Sequence, residues 1–512
     1  MPVLTNSFRS IAGFAFGFSL LWAVPSAGQT VRFIDASPEN VGLASPAEAG
    51  LPETIWEGTT PQRLAAALNG LPQQVSSPAQ HRALVNILRL AAAPPPGDAM
   101  TPSLASLRVA ALGRLGAEQD VMDLAEKVPQ AIRHAPLWQA QSAVSLTRYD
   151  LAGVCNLANR GSEAVPTADW QRLRGFCQLL RGQEEEAMVA VMLADEMGED
   201  DAVFTTMFLG KQYANRASAA PISPTKLLHL AMLRALNLKM ATPKWAEVSP
   251  TLAAGIARFP AVGLEVRTAA AERAVAGNTL PTDLLVQLYL ATELSTPLGS
   301  VYQQMAYASN LPQRLQALEA FWDAAKEAGV YVQLAPYSLS YLSGSDMAGV
   351  PRSFAAKALR TALVAGDNAS IGTWQRVLLA GAGGADEAQI GDQSLAILAI
   401  AGQPALPVEQ WWPAWTKAAK PSKSQIALVA GLLEAMGTPA PKVKGPKADR
   451  SATARALKDA SLGEAALLAL SALSGSPAPS TGLQIQAVEV LARLKPDHAR
   501  AIAVELAVAA GI

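Results

Sequence analysis

Residues 136–198 read PLWQAQSAVSLTRYDLAGVCNLANRGSEAVPTADWQRLRGFCQLLRGQEEEAMVAVMLADEMG. Thr167 is a good helix cap, and behind it Trp170, Leu173, Cys177 and Leu180 recur at i, i+3, i+7 and i+10, which places them on one helix face. Leu179-Leu180-Arg181-Gly182 then closes that helix, because glycine accepts the left-handed conformation. Glu184–Glu186 open the next one, where acids favour the positive end of the helix dipole. Upstream, residues 151–159 are predicted to form a short antiparallel helix carrying Cys155, with Gly161–Pro166 as the connecting loop. The stretch therefore reads as two successive helical hairpins.

The two cysteines of the chain both lie here. Cys155 and Cys177 read either as one bridge between adjacent helices or as two buried thiols. A bridge would close a loop of about 23 residues and contribute about 3 kcal/mol in the chain-entropy account. With the predicted boundaries, Cys155 sits about four residues from the end of its helix and Cys177 about ten from the start of the next. At 1.5 Å per residue that is a mismatch of roughly 8–9 Å for the loop to absorb.

The same punctuation recurs along the chain. Thr60-Pro61 opens a helix that stops at Gly70, and Ser77-Pro78 opens another through Leu90. Ser103–Leu115 with Gly116 precedes Glu118–Lys127, and Leu359–Ala365 with Gly366 precedes Ser370–Ala380. Ser223-Pro224, Ser249-Pro250 and Leu280-Pro281-Thr282 are further predicted starts. The expected fold class is all-α: stacked helical hairpins of about 35 to 45 residues forming an α-solenoid. Leu179-Leu180-Arg181-Gly182 followed by Glu186-Ala187 resembles the hairpins of tetratricopeptide repeats, without their full consensus. Through residues 56–97 and the Cys155/Cys177 hairpins, the chain also loosely resembles Ala-rich exported proteins of Gram-negative bacteria, a likeness that implies no activity.

Half of the residues are hydrophobic and only 6% are aromatic, so Ala and Leu, both good helix formers, supply most of the apolar content. The formal charge of −1 lacks the basic footprint of a nucleic-acid binder. After Arg9, Ile11–Val24 is an apolar stretch of signal-peptide length followed by Pro25 and the small residues Ser26, Ala27 and Gly28. Residues 1–28 are thus expected to be a cleavable signal peptide and the mature protein periplasmic, with no transmembrane segment once the signal is removed. Residues 29–55 are expected to form an extended or poorly ordered arm, 56–436 the hairpin solenoid, 437–450 a Pro/Gly/Lys linker or loop, and 451–512 a C-terminal helical cap docked on the preceding pair.

Motifs for chemistry are sparse. The four histidines, His81, His134, His229 and His498, neighbour no cysteine and show no HExxH spacing, and there is no CxxC. GxSxG, GxxxxGK[ST] and a strand-borne GxGxxG are missing, and the Gly381, Gly383, Gly384 loop lacks the lysine a phosphate needs. Glu184–Glu186 and Glu199–Asp201 read as a solvated helix start and a loop, without the ligand spacing of a calcium site. No catalytic residue, metal ligand or cofactor is expected. Trp411, Trp412 and Trp415 form the most unusual cluster: either they pack between hairpins ahead of a helix, or they offer indoles as a binding surface for sugar or peptide.

These features lead to the expectation of a non-enzymatic periplasmic scaffold that binds an envelope protein through its helical surface. The Ala-rich superhelix also resembles that of soluble lytic transglycosylases, which implies peptidoglycan as a second class of partner. The Glu-Ser pair and Gly-Leu-Met-Gln signature of their catalytic domain are missing, and Gly482-Leu483-Gln484 is only a faint echo.

Overall fold

Helix starts in the computed structural model follow capping chemistry closely. Thr60, Ser77, Ser103, Thr167 and Ser249 each accept a hydrogen bond from the backbone N–H three residues on. The structure describes residues 37–512 apart from 199, 213–219, 292–295, 346, 348, 381–384, 444–451, 460 and 476–478. The expected signal peptide, residues 29–36, the glycine loop at 381–384, Glu199 and residues 444–450 of the expected linker lie outside the described residues. Among those described, helices dominate and the only extended pairing is two isolated bridges, Ala44 with Leu90 and Ile222 with Met240. No described helix is long and apolar enough to cross a membrane.

Consecutive helices pack as pairs: Ala168–Leu180 on Glu184–Glu196, Pro250–Ala257 on Leu264–Ala276, Pro297–Ala306 on Leu311–Glu327, and Arg352–Ala365 on Asn368–Leu379. Stacked hairpins account for these neighbours, but not for how the chain ends meet. In a one-dimensional array each repeat touches only the next. Here the Leu462–Leu473 helix packs on Pro61–Asn69, and the last helix, Pro496–Ala509, lies against Pro78–Arg89, Arg352–Ala365 and Leu395–Ile400 as well as its own neighbours. The last helix of the expected 451–512 cap therefore packs on elements from the start and the middle of the chain as well as on the pair before it.

Polar contacts stitch this seam. Gly463 N–H donates to Ile55 O at 3.0 Å, and a Cβ on Gly463 would meet that oxygen at 2.5 Å, so the position has room only for glycine. Glu464 accepts from Thr59 Oγ1 at 2.5 Å and Arg63 Nε at 3.0 Å. The irregular stretch between Gly70 and Pro78 is the hub. Val75 O accepts from Asn278, Ser76 O accepts from Gln333, and Glu505 accepts from Ser77 Oγ and Ala79 N–H. Val75 is buried while Ser76 beside it is exposed, and side chains from the middle and the end of the chain satisfy the backbone groups of this stretch.

Residues 37–55, expected to be extended or poorly ordered, are tied down. The Glu39 carboxylate caps the Leu104–Arg114 helix through Leu104 and Ala105 N–H at 3.2 and 2.7 Å. Ser45 and Glu48 form a capping box, and Leu51 and Ile55 are buried. Buried Arg108 donates to Val41 O, Leu88 O and Leu90 O, and burial pushes its pKa down to about 10. Low periodicity in this segment reflects side chains that cap and plug rather than repeat. The helix predicted at Ser223-Pro224 begins at Leu227 instead, because Ile222 is held in its bridge to Met240.

Three histidines are held neutral by burial. His81 faces Leu115 O, His229 is fully enclosed, and His498, beside Lys495 and Arg82, is pushed down to about 4. A folded value below the ordinary 6.5 means that the unfolded chain binds more protons, so this stability is present above pH 6.5 and is lost as pH falls toward 4. Half-buried Glu272 and buried Glu505, both raised above their ordinary value by desolvation, oppose the trend at its acid end. Denaturation midpoints are expected to fall between pH 7.5 and 5, and His498→Gln should flatten the fall. Parallel slopes for the two proteins would contradict this.

Candidate interaction surface

The two hairpins at 136–198 are built as expected, with one change in register. The helix carrying Cys155 runs Leu151–Ala164 rather than ending at 159, and the next is Ala168–Leu180. Each cysteine is therefore nine residues from the shared turn, and the expected mismatch disappears. Their Sγ atoms are at disulfide distance, with Cα atoms 5.5 Å apart. Gly161, read as part of a loop, is helical because Trp170 lies over it: a Cβ there would come within 2.4 Å of the indole. The Cys155→Ser/Cys177→Ser double variant is expected to lose about 3 kcal/mol of stability, read from urea midpoints with and without reductant. A reductant-insensitive wild-type midpoint would count against the bridge.

On this braced pair sits the Glu184–Glu196 helix. Its inner face, Ala187, Ala190, Val191 and Ala194, is buried. Gly175 on the facing helix lets it approach closely, since a Cβ there would lie 3.0 Å from Val191 and 3.1 Å from Ala187 O. The opposite face is apolar as well. Val189, Met192 and Leu193 are 55%, 56% and 36% exposed, and Met197 follows at 41%. A soluble helix that is apolar all round is ordinarily buried all round. Among the described residues, seven of the ten exposed large hydrophobic side chains fall between Val165 and Leu209. The sequence already held the signal: AMVAVMLA at 187–194 leaves no polar stripe. Glu184–Glu186 draw the eye instead.

Next to this helix lies a charged cluster. Asp201, expected in a solvated loop, is buried; its Oδ1 accepts from Phe204 N–H at 3.0 Å and its Oδ2 faces His229 Nε2 at 3.0 Å. Thr225 N–H can only donate, so His229 Nδ1 accepts it at 3.3 Å and Nε2 carries the proton toward Asp201. Both ring nitrogens are occupied, which leaves neither for proton transfer to a substrate. Lys226 closes the cluster on Asp201 at 3.2 Å and Asp169 at 2.9 Å. Beside it a cleft of about 560 Å³ opens between the Ala135–Arg148, Ala168–Leu180 and Leu227–Ala235 helices, floored by Leu146, Trp170 and Leu173. No group of three or more His, Cys, Asp or Glu suited to a metal is found among the described residues.

The tryptophans lie elsewhere and inside a helix, Val408–Ala419, not ahead of one. Trp411 and Trp415 are 2% and 1% exposed and Trp412 is half-buried; the rings meet in tilted and edge-to-face contacts with centroids 5.4–6.1 Å apart. Two of the three indoles are thus core, and the cluster presents at most one edge to a ligand.

Comparison with family models, with curated proteins and with solved structures finds no match.

Proposed function

We propose that this protein is a non-enzymatic scaffold or adaptor of the periplasm, exported by its N-terminal signal, that binds another envelope protein through the outer face of the Glu184–Glu196 helix. One observation supports the reading above the others: the Glu184–Glu196 helix, packed on a disulfide-braced pair, buries one apolar face and leaves Val189, Met192 and Leu193 on the other exposed. Contiguous exposed apolar surface on a soluble protein marks an interaction site. The helical-hairpin arrangement, read as a tetratricopeptide-like scaffold, suits binding without chemistry. The test is a photo-crosslinking amino acid at Met192 in cells that export the chain, compared with one at exposed Glu409. A discrete protein adduct from position 192 alone, in the periplasmic fraction, is the expected result. Equal labelling at both positions, adducts to peptidoglycan only, or retention in the cytoplasm would overturn it.

A further inference from the structure

The chemistry around the exposed stripe restricts its partner. Val189, Met192, Leu193 and Met197 follow the i, i+3, i+4, i+8 spacing of a helical seam and span about 12 Å at 1.5 Å per residue. That is the anchor pattern by which one amphipathic helix lies along another apolar face. Two of the four are methionines, whose unbranched side chains adapt to varied apolar partners. The rim is mainly acidic. Glu184, Glu185, Glu186, Asp195 and Glu196 are all exposed, the helix carries no Lys or Arg, and Asp200 continues the acidic edge; the neighbouring cations are Arg172, 3.8 Å from Asp195, and exposed Arg181 ahead of the helix.

We propose that the Val189–Met197 face docks a cationic amphipathic helix of the partner protein, its apolar stripe meeting the Met and Leu side chains and its Lys or Arg residues meeting the acidic rim. This rests on the adaptor reading and specifies its partner. A second copy of the chain would bring two acidic rims together, and an anionic lipid surface would be repelled by the same charges; both cost affinity where a basic helix gains it. Desolvation of the apolar seam supplies the affinity, while the rim supplies on-rate and selection by charge.

The experiment uses the purified exported chain and a fluorescein-labelled 14-residue peptide of Leu and Lys with a helical apolar stripe, read by anisotropy. The control peptide replaces every Lys with Glu. The Lys peptide is expected to bind at least tenfold more tightly than the Glu peptide, and to weaken as salt rises. Met192→Ser/Leu193→Ser should lower its affinity at least tenfold. Glu185→Gln/Glu196→Gln should lower it several-fold and flatten the salt dependence, with an unchanged thermal midpoint because both carboxylates are exposed; the thermal midpoint of the Met192/Leu193 variant is measured alongside, since Leu193 is only 36% exposed. Equal binding of both peptides, or indifference to the Met192/Leu193 double variant, would overturn the proposal. So would concentration-dependent dimerisation lost in that variant, or binding to phosphatidylglycerol vesicles through it. A specific crosslink at position 192 together with no preference between peptides would sink the cationic partner and leave the adaptor reading standing.

Discussion

A chain that stops after Lys495 is expected to show no cooperative unfolding transition. The missing helix, Pro496–Ala509, buries Ala499, Ile502, Ala503, Val504 and Ala507 against helices from the start, the middle and the end of the sequence. Burial of Ile502 and Val504 alone contributes about 3–6 kcal/mol. That is a large share of the roughly 5–15 kcal/mol that stabilises an ordinary domain. Losing Glu505 also leaves Ala79 N–H and Ser77 Oγ without their acceptor at the start of the Pro78–Arg89 helix. A true solenoid that lost its end would keep most of its structure, because its stability is a sum over neighbours. Circular dichroism and dye binding during urea titration separate the two cases. A cooperative transition shifted by only a few degrees in a parallel melt would mean that this helix is an end cap after all. The finer variant Glu505→Ala should cost about 1–3 kcal/mol, whereas Glu505→Gln, which keeps an acceptor for Ala79 N–H, should cost less.

The difference between these outcomes is also the difference between what the sequence could and could not reveal. Helix starts were legible because they depend on neighbours in the chain. Thr60-Pro61, Ser77-Pro78 and Thr167 each satisfy a donor three residues away, and local sequence is enough to see it. Glu118–Lys127 matches its predicted limits and Glu184 opens the next helix as predicted for another local reason: each follows a glycine at positive φ and carries acids in its first turn. The closure of the chain was not legible. Glu464 meeting Thr59, or Glu505 meeting Ala79, spans about four hundred residues, and no periodicity encodes such a pairing. The misread helix end at residue 159 has the same origin. Gly161 looks like a breaker until Trp170, nine positions on, is seen to need the space above it. Local sequence predicts a solvated loop at Asp201 and an extended or poorly ordered arm over residues 29–55, because polar and small residues read that way. Asp201 and residues 37–55 are buried or tied down because distant groups, His229 and Arg108, need their hydrogen bonds. On the candidate surface, the composition of the Glu184–Glu196 helix was visible from the start. What was not visible is which of its two apolar faces the fold would use.

The tryptophan cluster carries the second large effect, and its direction separates packing from recognition. Trp415→Ala and Trp411→Ala each remove an almost wholly buried indole and are expected to cost about 3–5 kcal/mol, the range for emptying an aromatic site in a core. Trp412→Ala should cost less, since its ring is partly in water already. The three effects should not add. Ring centroids 5.4–6.1 Å apart place every indole against the other two, so the first truncation loosens the packing that the second would remove. Urea midpoints for the three single variants and the Trp411/Trp415 pair measure this directly. A binding surface built from these indoles would give the opposite pattern. Trp415→Ala would then leave stability within about 0.5 kcal/mol, as surface substitutions do, while abolishing capture of a sugar or peptide. The burial of Trp411 and Trp415 favours the first pattern, and among the described residues the exposed large hydrophobic side chains gather instead around the outer face of the Glu184–Glu196 helix.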